Sequence, residues 1–166
     1  MVEQGPPRGR RQARVVVAHA DPHAESPYET VLRWVAVSRG MPRPVLQARF
    51  DVRGRTYYAD LCWSFEVRID GRTVRIRIVC EYDGDLKYLG HATAADAARI
   101  LLAEKRREDD LRSMPHTIVL RFDRGDTSRP DETFQRICAP LPASYVARLR
   151  VVPELVGLTA PRLRVL

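Results

Sequence analysis

Three carboxylates and a lysine mark where this chain could do chemistry: Asp60, Glu81, Asp83 and Lys87. Glu81 and Asp83 close the stretch Cys80-Glu-Tyr-Asp83, at the end of the alternating, β-branched run Thr73–Val79. Strand side chains repeat every second residue, so these two acids are predicted to share a face. Asp60 sits inside another apolar run, between Ala59 and Leu61. Aspartate is depleted in strands and calls for a reason there. Oxygen-rich acid sets suit Mg²⁺ or Mn²⁺ rather than softer metals. Such an ion activates water and neutralises charge at a scissile phosphate, and Lys87 would orient the nucleophile or stabilise developing charge.

The surrounding elements must deliver these residues to one place. Ser26-Pro27-Tyr28-Glu29 reads as a helix start, with a serine cap, proline in the first turn and an acid near the positive helix end. That helix is predicted to run through Val31, Leu32, Val35 and Ala36 to Gly40. Strands follow at Val45–Val52, Thr56–Trp63 and Phe65–Ile69, with Asp70-Gly71 as a hairpin turn into Thr73–Tyr82. Thr93-Ala94-Ala95-Asp96 caps a long helix to about Ser113, with Ala97, Ile100, Leu101 and Leu111 as its apolar stripe. Its opposite, polar side carries Lys105, Arg106, Arg107, Glu108, Asp109 and Asp110, read as a solvated face. Thr117–Phe122 is a further strand, Gly125–Pro130 a loop and Asp131–Cys138 a short helix. A strand after a long helix returns parallel by a right-handed crossover. The fold class is therefore α/β: a mixed sheet of four or five strands with helices on both faces.

Composition bounds the partners. A chain of 166 residues fits one domain with a real core. Its net charge of +7 favours an anionic partner, nucleic acid first. Of 28 cationic residues only two, Lys87 and Lys105, are lysine, which makes both conspicuous. Arg33, Lys105 and Arg106 are among the expected nucleic-acid contacts. Cys62, Cys80 and Cys138 show no metal spacing and read as reduced thiols. No apolar run is long enough to span a bilayer, so a cytoplasmic protein without membrane contact is expected. Residues 1–20 read as a basic arm with a short helix, 21–150 as the domain, and 151–166 as an apolar tail.

Five motifs in order carry a resemblance: Ser26-Pro-Tyr-Glu29, Ala59-Asp60-Leu-Cys-Trp63, Glu81-Tyr-Asp-Gly84 with Lys87-Tyr88, Glu104–Arg112 and Leu120-Arg121-Phe122. Together they resemble the very-short-patch-repair-like endonuclease domain of the PD-(D/E)XK superfamily, in the actinobacterial version often found behind an AbiEi-type antitoxin winged helix. The resemblance spans about Ala20 to Asp123. It implies a restriction-endonuclease-like fold, Mg²⁺ or Mn²⁺ as cofactor, DNA as substrate, and Asp60 and Glu81 as metal-binding acids. It further implies Glu29 as an accessory acid, and Arg107 and Arg121 along the phosphate path. Where the superfamily's general pattern has a lysine two residues after the second acid, this chain has Asp83, and Lys87 follows from the next turn. Targeting would come from a partner protein or a homodimer. The alternative expectation is a nuclease-derived module that binds nucleic acid or a partner without cleaving.

Overall fold

The computed structural model describes residues 9–83 and 93–156; Gly84 and Lys87 lie outside the described residues. Four strands form one sheet in the order β1 (Val45–Val52), β2 (Arg55–Ile69), β3 (Arg72–Tyr82) and β4 (Thr117–Phe122). The first three are antiparallel neighbours, and β4 runs parallel to β3. The parallel step is made by the long helix α3 (Ala94–Arg112), as the chain order requires. The sheet is mixed and helices cover both of its faces.

Period-two alternation decides which helix covers which face. Leu61, Trp63 and Phe65 on β2, with Ile76, Ile78 and Cys80 on β3, form the larger core. It is closed by Leu32 and Ala36 of α2 (Pro27–Ser38) and by Ile137 and Cys138 of α5 (Pro130–Cys138). Cys62, Val79 and Val119 point the other way and pack beneath Leu111 of α3. All three cysteines are buried free thiols. The preceding α1 (Arg10–His19) and the one-turn helices α4 (Arg124–Thr127), α6 (Ala143–Val146) and α7 (Pro153–Val156) complete the described elements.

Two expectations change. The runs around Thr56–Trp63 and Phe65–Ile69 are one continuous strand of 15 residues, because Ser64 and Glu66 are outward positions of a single alternation. A short helix, α4, occupies the first half of the expected loop at Gly125–Pro130; Asp123 and Asp126 cap it reciprocally. The outer helices close on the domain: Arg11 of α1 pairs with Glu154 of α7 at 2.5 Å, and Trp34 Nε1 donates to the Leu155 carbonyl at 3.1 Å.

Gly40 makes the close approach that this closure needs. Its φ is +96°, and an added methyl would lie 2.2 Å from the Arg150 carbonyl oxygen. Both the left-handed backbone and the contact exclude a side chain. Gly40→Ala is expected to lower unfolding stability by roughly 2 kcal/mol or more, read as an earlier urea midpoint; an unchanged midpoint would show that the 150s do not pack here.

Candidate acid site at the β2–β3 edge

The strand register carries the two acids together. Leu61 pairs with Cys80, and continuing that antiparallel register by one residue sets Asp60 across from Glu81. Residues so paired share a face. Here that face is the α3 side. Parallel pairing then places Arg121 of β4 beside Glu81. The Asp60 Oδ2 accepts from the Tyr82 backbone N–H at 2.7 Å, so the aspartate serves as a ladder partner in the strand that carries Glu81. Tyr82 stacks on Tyr28 with ring centroids 4.6 Å apart, which docks the start of α2 at the same edge.

Glu29 arrives through that docking. The Ser26 hydroxyl accepts from its backbone N–H at 3.1 Å, and its Oε2 accepts from the Glu25 N–H at 3.0 Å. The carboxylate is buried and caps the start of the helix, close enough to raise the Asp60 pKa.

From α3 the residues Glu104, Arg107, Glu108 and Leu111 face the sheet, at the three- and four-residue spacing of one helix side. Arg107 pairs with Glu81 Oε2 at 2.6 Å and donates to the Tyr58 carbonyl at 2.6 Å. Arg121 meets Glu104 directly, and lies 3.5 Å from both Asp83 and Glu108. The helix face expected to be apolar is thus charged where it meets the acids. Ile100 and Leu101, part of the expected stripe, are instead exposed. Asp110, expected in solvent, is only 2% exposed and receives Arg53 at 3.1 Å, Arg55 at 3.4 Å and the Tyr57 hydroxyl at 2.6 Å. That knot ties α3 to the β1–β2 turn and fixes the register of Arg107 over Glu81.

Electrostatics at the pair are unusual for carboxylates. Burial pushes the Glu81 pKa up to about 7; Arg107 pulls it down, and the neighbouring Asp60 pushes it up. Burial also raises Asp60, against the Tyr82 N–H that lowers it, with Glu29 and Glu25 adding repulsion. The Glu81 Oε1 is buried and has no hydrogen-bond partner in the described structure. A buried carboxylate oxygen without a partner is costly and marks a place for a cation or a donor.

Some expected members do not join. Asp83 lies just past β3; its N–H donates to the Phe122 carbonyl at 2.8 Å and its exposed carboxylate turns to Arg121, not to the Asp60–Glu81 pair. It is better described as a partner of Arg121 than as a third metal ligand. Arg33 is buried on α2, 3.7 Å from Asp21, and lines a different cavity, so it does not present itself to a surface polyanion. Lys105 and Arg106 are exposed on the outer side of α3. Lys87 lies outside the described residues.

A cleft of about 760 Å³ opens over Asp60 and Arg107, walled by His23, Glu25, Gln47, Tyr57 and Tyr58. Gln47 falls opposite Asp60 in the β1–β2 register and holds φ at +47°, a conformation uncommon for a residue with a side chain. Its Nε2 is buried without a hydrogen-bond partner. Nothing in the sequence singled it out, since glutamine at an alternating strand position reads as a surface residue.

The fit of these residues to a divalent ion is limited but real. Among the described residues no group of three His, Cys, Asp or Glu side chains could hold a metal. Mg²⁺, however, commonly takes one or two carboxylates and fills its octahedron with water and substrate oxygens. Asp60 and the unpartnered Glu81 oxygen are the two carboxylate donors available here. No protein-family model matches the chain, and no curated protein or solved structure matches it either. Among the described residues no helix is long and apolar enough to cross a membrane.

Proposed function

We propose that the chain is a metal-dependent endonuclease or nickase that hydrolyses phosphodiester bonds in DNA. The observation that supports this best is the presentation of Asp60 and Glu81 from adjacent strands onto one face, with a Glu81 oxygen buried and unpartnered beside Arg107. Asp60 and Glu81 would hold Mg²⁺ or Mn²⁺, which supplies an activated water and charge neutralisation at the scissile phosphate. Arg107 and Arg121 lie along the same edge, where guanidinium forks suit phosphate oxygens. Lys105 and Arg106 add charge on the exposed side of α3, and the net charge of +7 favours a polyanion throughout. Glu29 positions rather than reacts: it caps α2 and adds negative charge behind Asp60. Lys87 keeps its expected role of orienting the attacking water, and Asp83 holds Arg121 in place.

Supercoiled plasmid incubated with the protein should be nicked in Mg²⁺ or Mn²⁺ and remain intact in EDTA. Cleavage unaffected by chelation would remove the metal from the account.

A second reading has one observation of its own. The cation already present at Glu81 is Arg107, at 2.6 Å, and Arg121 is engaged by three acids. A site neutralised in this way suits a module that binds nucleic acid or a partner without cutting. Salt-sensitive DNA binding with no nicking in either metal selects this reading.

A further inference from the structure

On the other side of α2 lies a second cavity, of about 330 Å³, enclosed by α1, α2 and α7. None of the residues lining it borders the cleft at Asp60. Its walls are apolar, formed by Val16, Trp34, Val37 and Leu155. The Trp34 ring is fixed in place by its hydrogen bond to the Leu155 carbonyl. One corner is charged, and there Arg33 and Arg43 face a single carboxylate, Asp21.

Arg33 is left short of an acceptor in that corner. Asp21 Oδ1 accepts from the His23 backbone N–H at 3.0 Å and faces His23 Nδ1 at 3.0 Å. Its Oδ2 lies 3.7 Å from Arg33 and 3.9 Å from Arg43, both beyond hydrogen-bond reach. Arg43 spends its two terminal nitrogens on the Ala18 and Ala20 carbonyls. Arg33 is 8% exposed, and its Nη1 is buried with no hydrogen-bond partner. A buried guanidinium nitrogen left without an acceptor is expensive.

We propose that this cavity binds a small organic monoanion, a carboxylate on an apolar body, with the head group on Arg33 and the body between Trp34, Val37 and Leu155. A monoanion supplies the missing acceptor for Arg33 Nη1 and carries the charge that suits a buried guanidinium. The volume falls at the small end of natural ligand pockets, which suits a medium-chain or aromatic acid rather than a long lipid. A carboxylate against guanidinium makes the stronger class of hydrogen bond, so the charge should decide affinity.

Sodium octanoate and 1-octanol separate head from body, with Trp34 fluorescence and thermal melts of the full chain as readouts. Octanoate is expected to bind saturably and raise the melting temperature, and octanol to bind about tenfold more weakly. Arg33→Met should weaken octanoate by about tenfold and leave octanol unchanged. Equal affinity for the acid and the alcohol, or no saturable binding of octanoate, would overturn the proposal. The acid–alcohol comparison in the unaltered protein decides the matter even if Arg33→Met does not fold.

Discussion

Replacing either acid of the strand pair is expected to reduce metal-dependent plasmid nicking by at least about 100-fold, since even loss of a residue supporting a metal ligand costs 10- to 100-fold. The two substitutions should fail for different reasons. Asp60→Ala removes a carboxylate that also accepts the Tyr82 N–H, so it disturbs the edge of β3 as well as the charge. Asp60→Asn keeps an acceptor for that N–H and removes only the charge. Glu81→Gln leaves the β-ladder untouched but takes the counter-charge from Arg107. If both Asp60→Asn and Glu81→Gln lose nicking while their melting temperatures stay near the parent's, the loss belongs to the site and not to the fold. Activity persisting in both conservative variants would remove this pair from the chemistry.

The largest loss of stability is expected at Trp63. Its indole is 2% exposed in the core between the sheet, α2 and α5, and its Nε1 donates to the Pro42 carbonyl at 2.8 Å. Trp63→Ala opens a cavity and strands that carbonyl, at a cost of about 3–5 kcal/mol. Against a typical total of roughly 5–15 kcal/mol, that loss leaves little folded protein at the low end. Urea denaturation followed by far-ultraviolet circular dichroism measures it without relying on tryptophan emission. The midpoint should fall with the slope unchanged, and Trp63→Phe should recover part of the loss. A loss under about 1 kcal/mol would mean that this core is not packed as described.

Local patterns carried most of the fold. Ser26 and Pro27 start α2 where a cap and a first-turn proline belong, and Thr93 caps α3 through the Asp96 N–H. The alternation that ends in Glu81 and the apolar run around Asp60 gave their strands, and pairing did the rest. The sheet's order and its parallel fourth strand follow from one long helix between two strands.

The site was legible only in part, for a physical reason. Sequence patterning finds elements by the contrast between apolar core and polar surface, and an edge lined with buried charges reverses that contrast. The side of α3 that meets the sheet reads Glu104, Arg107, Glu108 and Leu111, so hydrophobic periodicity pointed to Ile100 and Leu101, which are exposed. Asp110 looked like a surface acid because its partners, Arg53, Arg55 and Tyr57, lie more than fifty residues away in the chain. Glu81 and Asp83 were paired by strand spacing, but β3 ends at Tyr82, so the spacing stops governing direction one residue too early. Arg33 was counted for its charge, whereas its helix turns that charge inward.

The proposed nuclease activity requires that Asp60 and Glu81 hold a divalent ion, and calorimetric titration of the DNA-free protein with Mn²⁺ tests this most directly. Burial sets the Glu81 pKa near 7, and a metal binds only the deprotonated carboxylate. Protons therefore compete below that value and are released as the metal binds. One saturable site is predicted at about pH 8, weaker at about pH 6 and absent in Glu81→Gln. No binding at the higher pH, or binding of equal strength in Glu81→Gln, would contradict the account.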